Sequence, residues 1–134
     1  MLRTRELDVT YRNGVRALRA VDLEVERGQT VALVGESGSG KTTLLKCFNR
    51  LVEPTAGTVE VDGRDVTTAE PETLRRSIGY VQQEGGLLPH WTVRANVELV
   101  PWLLKWDGSR RRARSDELLE LVGLEPGVYA DRRP

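Results

Sequence analysis

Gly35-Glu36-Ser37-Gly38-Ser39-Gly40-Lys41-Thr42 carries the spacing G-x-x-x-x-G-K-[ST] at every fixed position. These residue types suit one task, which is to hold a chain of phosphates by donors without a clash from side chains. Gly38 and Gly40 let the backbone curl, so that the amides from Ser37 to Thr43 can form an anion nest at the leading end of a helix. Lys41 is then placed to reach β- and γ-phosphates, and the Thr42 hydroxyl to ligate Mg²⁺, which prefers oxygen donors. The expected nucleotide-binding set is Gly35, Glu36, Ser37, Gly38, Ser39, Gly40, Lys41, Thr42 and Thr43, with ATP and Mg²⁺ as ligands. A flexible glycine turn that happens to precede a lysine is the bland alternative, and the flanking elements weigh against it.

Those elements follow from periodicity. Residues 30–34, Thr-Val-Ala-Leu-Val, form an unalternating, β-branched run that suits a strand covered on both faces. Residues 41–51 place Leu44, Leu45, Phe48 and Leu51 at helical spacing before Pro54. Upstream, residues 2–11 and 17–25 alternate around Arg12-Asn13-Gly14 and predict a hairpin. Downstream, residues 58–61 and 64–66 flank the turn pair Asp62-Gly63 and predict a second, smaller one. A short helix at 71–77 leads into the apolar strand candidate 78–81, and a loop follows at 82–89. Thr92 is the expected N-cap of a helix from Val93 to about Trp106, kinked or divided at Pro101. Ser109 or Ser115 is expected to start another, with Leu118, Leu119, Leu121 and Val122 on its apolar face, Gly123 at its end, and a loop at Pro126-Gly127.

Twenty basic residues balance twenty acidic ones among 134, so no whole-chain field favours nucleic acid or an anionic surface. The basic run 110–114 reads as a solvated helix face. The single cysteine, Cys47, allows no internal disulfide and no metal-ligand pair, and fits a buried small hydrophobe. The first eleven residues lack a signal-peptide core, and no apolar stretch reaches the roughly 20 residues of a membrane span.

Three further segments resemble the ATP-binding subunits of ABC transporters. Tyr11 ends the first strand where that family places an aromatic residue that stacks on adenine. Ile78-Gly79-Tyr80-Val81-Gln82-Gln83 looks like the strand entering the family's Q-loop. The resemblance makes Gln83 the functional glutamine, which would touch Mg²⁺ or the attacking water as a catalytic positioning group. Gln82 stands where the family is usually apolar. Gly86-Leu87-Leu88-Pro89-His90-Trp91-Thr92-Val93 with Asn96-Val97 resembles the importer branch, and Ile78 to Val93 with Leu99-Val100-Pro101 and Val122-Gly123-Leu124 is most like glycine-betaine and quaternary-amine uptake systems. On such a subunit Trp91, Trp102 and Trp106 would be packing or interface residues, not a cage for the solute. His90 has no carboxylate or nucleophile partner implied nearby, which argues against acid–base chemistry there.

The resemblance implies an α/β fold: a P-loop NTPase core with a small antiparallel β subdomain and the start of a helical subdomain, truncated before the signature and Walker B. Residues 1–134 would be a partial nucleotide-binding domain, with the β subdomain and P-loop core at 1–91 and the helical subdomain starting at 92–134. No Leu-Ser-Gly-Gly-Gln stretch, Asp-Glu strand or later switch histidine occurs in the sequence, so hydrolysis by this chain alone should fail. Flanking strands for residues 30–34 would be missing too, and a marginal, aggregation-prone chain is expected. The implied partners are transmembrane permease subunits and a second ATP-binding subunit, with no nucleic acid, at a cytoplasmic site peripheral on the inner face of the membrane. Two alternatives stand beside this: a truncated non-catalytic nucleotide-binding or interaction module, and a small P-loop kinase or GTPase. No Asn-Lys-x-Asp segment supports a GTPase, and no acceptor-binding lid supports a kinase.

Overall fold

Alternation over the first 25 residues produces two long antiparallel strands, β1 (Leu2–Thr10) and β2 (Arg16–Val25), joined at the Asn-Gly turn. In the computed structural model, which describes residues 1–83 and 85–134, β1 also pairs with β3 (Ala56–Val61). The Asp62-Gly63 turn returns β3 to β4 (Arg64–Asp65), completing an antiparallel sheet of order β2-β1-β3-β4. Register shifts interrupt β1, where Glu6 takes the left-handed φ of 45° and Ala20 opposite takes 44°. The bulge brings the Glu6 and Arg5 carbonyls so close to Gly57 that a Cβ there would lie 2.3 and 2.5 Å from them.

One face of this sheet is covered by α1 (Lys41–Phe48). Leu44, Cys47 and Phe48 meet Leu7, Val9, Leu18 and Val59 in the core. Burial pushes the Cys47 thiol up to about 11, with Glu53 adding to it, so the side chain stays a neutral hydrophobe. The helix is shorter than its apolar spacing predicts. Arg50 turns left-handed at φ 53°, and the amides of Leu51 and Val52 close back on the Lys46 carbonyl, leaving Leu51 half-exposed. The Arg75 guanidinium on α2 (Pro71–Ser77) donates to the carbonyls of Asn49 (3.0 Å) and Arg50 (2.6 Å), so a cation sits at the negative end of α1.

Two expected strands do not form. Residues 30–34 and 78–81 pair with no strand among the described residues, and Val34 and Val81 are each 94% exposed. An apolar β-branched run supplies the propensity, but a ladder also needs a neighbour, and among the described residues none pairs with either segment.

The described residues divide into two units, Met1–Gly79 and Tyr80–Pro134. The second holds α3 (Val93–Leu103), α4 (Gly108–Leu121) and the short α5 (Pro126–Tyr129). Thr92 caps α3 as expected, accepting from the Ala95 amide, and the leading amides of Val93 and Arg94 go to the carbonyls of Arg132 and Ala130. Pro101 lies inside the last turn of α3, which stops at Leu103 without a second piece. α4 starts from Asp107, not from Ser109 or Ser115, and closes at left-handed Gly123. Its buried positions are Ser115 and Leu119, whereas Leu121 and Val122 are exposed. Arg111 leaves the solvated face assigned to it, donating to the Trp106 carbonyl at 2.9 Å and lying 3.5 Å from Glu98 on α3. Pro126, expected in a loop, takes the first position of α5, where its missing N–H costs nothing.

The Asp107 cap carries a pH dependence. The Ser109 hydroxyl and the Arg110 amide hold its carboxyl below the ordinary aspartate value. A depressed folded value contributes stability above the unfolded one, near 4, and that contribution is lost as pH falls through the folded value. Helicity of the chain is therefore expected to fall less between about pH 4 and pH 2 in Asp107→Asn than in the parent, measured by far-ultraviolet circular dichroism. Equal acid transitions in the two proteins would exclude this role.

Candidate functional site

Residues 35–40 link the unpaired segment 30–34 to α1. Gly38 and Gly40 hold φ values of 82° and 91°, a region that side-chain-bearing residues rarely enter. Gly40 is fixed by its surroundings as well, because a Cβ there would stand 2.6 Å from the Ala17 carbonyl oxygen and 2.8 Å from Leu18 of β2. The turn is closed by the Ser39 amide on the Glu36 carbonyl, 3.2 Å away. Around Gly38 there is open space.

The Lys41 ammonium reaches back over this loop. It donates to the carbonyls of Gly35 (2.8 Å) and Glu36 (2.7 Å) and to the Ser39 hydroxyl (3.2 Å). The amides of Ser37, Gly38, Gly40, Lys41, Thr42 and Thr43 donate to no described residue. The first amides of a helix have no intrahelical partner, so a run of donors and one positive charge lie together at the leading end of α1. Thr42 is exposed on the first turn, and Thr43 beside it is buried.

Tyr11 lies at the tip of the β1–β2 hairpin. Its hydroxyl is 2.9 Å from Thr43 Oγ1, a contact across 32 residues that no sequence pattern announces. The sequence-expected residues from Tyr11 to Thr43 thus fall together in the first unit. Gln83 belongs to the second unit, at a bend, and is exposed. There Asn96 ties the loop before α3: its Oδ1 accepts from the Leu88 amide at 2.7 Å, and its Nδ2 donates to the carbonyls of Leu88 and Thr92. Among the described residues no group of three His, Cys, Asp or Glu side chains could hold a metal, and no helix is long and apolar enough to cross a membrane.

The residues present suit a nucleotide polyphosphate with Mg²⁺, since unspent amides, an ammonium and an exposed threonine hydroxyl are the donor set both require. A family model described as ABC transporter matches residues 18–134. The chain belongs to the ABC transporter family. Within this family it is 43% identical over its whole length to a glycine betaine/carnitine/choline transport ATP-binding protein of Bacillus subtilis (strain 168), and 45% identical to a choline transport ATP-binding protein of the same organism. In each case it spans 35% of the relative's length. The ATP-binding cassette MJ0796, solved as a dimer in a post-hydrolysis state bound to ADP and Pi, superposes with a TM-score of 0.86 at 33% identity. That match covers all of this chain and 62% of the cassette. An α/β ATPase cassette fold of the ABC transporter type follows, and the kinase and GTPase alternatives lose their footing.

Proposed function

We propose that this chain is the leading part of an importer's ATP-binding subunit and holds Mg-ATP through the loop at residues 35–43. The observation that carries this is the coincidence of unspent helix-leading amides with the Lys41 ammonium on one loop. Gly35, Glu36, Ser37, Gly38, Ser39, Gly40, Lys41, Thr42 and Thr43 surround the phosphates, Tyr11 stacks on the base, Thr42 ligates the cation, and Gln83 keeps the metal- or water-positioning role that the family resemblance gives it. Bound Mg²⁺ supplies positive charge against the β- and γ-phosphates. The names of the Bacillus relatives support glycine betaine or another quaternary amine as the solute.

In this reading residues 92–134 begin the helical subdomain, and the subunit sits peripherally on the cytoplasmic face against transmembrane permease subunits. It pairs with a second ATP-binding subunit, a reading supported by the dimeric state named for the MJ0796 cassette. Hydrolysis needs groups that these 134 residues do not contain, because no Leu-Ser-Gly-Gly-Gln segment and no apolar run ending in Asp-Glu is present. The 134-residue chain is therefore expected to bind ATP more tightly with Mg²⁺ than without, and to release no phosphate above background. In Thr42→Ala the benefit of Mg²⁺ should disappear while Mg²⁺-free binding persists. Isothermal titration paired with a phosphate-release assay checks both statements; Mg²⁺-stimulated turnover by the parent chain would remove the non-catalytic reading.

A further inference from the structure

Tyr11 is held at both ends. Its amide donates to the Val15 carbonyl at 2.8 Å, and its own carbonyl accepts from the Gly14 amide at 2.9 Å, which fixes the backbone in the hairpin tip. At the far end of the side chain, the hydroxyl is hydrogen-bonded to Thr43, itself only 8% exposed and packed in the first turn of α1. Between these anchors Tyr11 as a whole remains 40% exposed. Gly40 pressed on Ala17 and Leu18 fastens the same hairpin to the same helix a few residues away.

An aromatic side chain on a loop tip ordinarily loses rotamer freedom when a flat ligand stacks on it, and that loss subtracts from affinity. A ring already tied down has little left to lose. We infer that the Tyr11 hydroxyl is a positioning group: through Thr43 it locks the ring as a rigid platform for the nucleotide base, so that affinity for ATP depends on a hydroxyl that need not touch ATP. This rests on the phosphate-loop reading above and adds a residue pair to it. It separates Tyr11 from a phenylalanine at the same place, which would offer the same apolar face without the anchor.

Two probes distinguish the base platform from the phosphate loop: ATP, and inorganic tripolyphosphate, which has no base. By titration of the 134-residue chain, Tyr11→Phe is expected to weaken ATP about threefold to tenfold, the worth of one neutral hydrogen bond, and to leave tripolyphosphate unchanged. On a Thr43→Val background the same substitution should have no further effect on ATP, whereas on Thr43→Ser, which keeps the hydroxyl, its effect should return. Unchanged ATP affinity in Tyr11→Phe overturns the inference, as does an equal loss for both probes or a full loss that persists beside Thr43→Val. Failure of the underlying reading has a different signature: tripolyphosphate would bind the parent and Lys41→Ala alike, or neither, whatever Tyr11 does.

Discussion

Lys41→Ala is expected to weaken Mg-ATP binding by about a hundredfold or more while the protein stays folded. A hydrogen bond to a charged group contributes about 1.5–3 kcal/mol, and an ammonium that reaches two phosphates makes at least two of them. Together they come to about 3 kcal/mol at the low end, or two decades in affinity. Stability should change little, because Lys41 lies outside the core of Leu44, Cys47 and Phe48 against the sheet, and its three acceptors sit on an exposed loop. Titration calorimetry of parent and variant with Mg-ATP, with a thermal melt of each as control, decides the matter. An affinity within a factor of three of the parent would remove Lys41 from the site and take the phosphate-loop reading with it.

Gly40→Ala should do the opposite kind of damage, breaking the fold first. Its φ of 91° costs an alanine about 1–2 kcal/mol. The new methyl would also meet the Ala17 carbonyl oxygen at 2.6 Å, in a strand held on one side by the β1 ladder, so the neighbour cannot swing away. Overpacking of this kind adds about 1–3 kcal/mol. A total near 3 kcal/mol is a large part of the stability of a small domain. Gly38→Ala isolates the other half of the question: its φ is 82°, but nothing lies within 4 Å of the added Cβ. It should lose only about 1 kcal/mol of stability, yet lose ATP, since the methyl would stand where the proposed reading brings the phosphates. Urea unfolding followed by far-ultraviolet circular dichroism, beside nucleotide titration, reads both effects. Equal stability of the two variants would show that the seat of Gly40 on β2 is not the constraint described here.

What the sequence disclosed depended on how local the cause was. The loop was legible because its glycines, lysine and threonine are spaced by the chemistry itself, and Asp62-Gly63 and Thr92 because turn and cap preferences act within four residues. Strands at 30–34 and 78–81 do not form among the described residues because pairing belongs to two segments at once, and for 30–34 the resemblance already implied that the flanking strands would be missing. Asp107 was passed over as a cap in favour of Ser109 or Ser115, which are equally good capping types, and Pro126-Gly127 was read as a loop because that pair is a common turn signal. The face of α4 was drawn through Leu118, Leu119, Leu121 and Val122; Leu119 is buried as expected, whereas Leu121 and Val122 are exposed and Ser115 is buried instead, with Arg111 3.5 Å from Glu98 of α3. The Tyr11 to Thr43 contact needed the folded hairpin before it could exist at all.

The unpaired stretch at residues 30–34 leaves the loop held more firmly at one end than at the other. Its trailing root is clamped, by Gly40 on β2 and by α1 in the core, whereas its leading root pairs with no strand among the described residues and rests only Leu33 against that core. Strain applied at the tip then passes into the molecule mainly through α1 and onward to the carbonyls that Arg75 grips. The ammonium of Lys41, reaching from the clamped root to Gly35 and Glu36, is the strut that steadies the free arm.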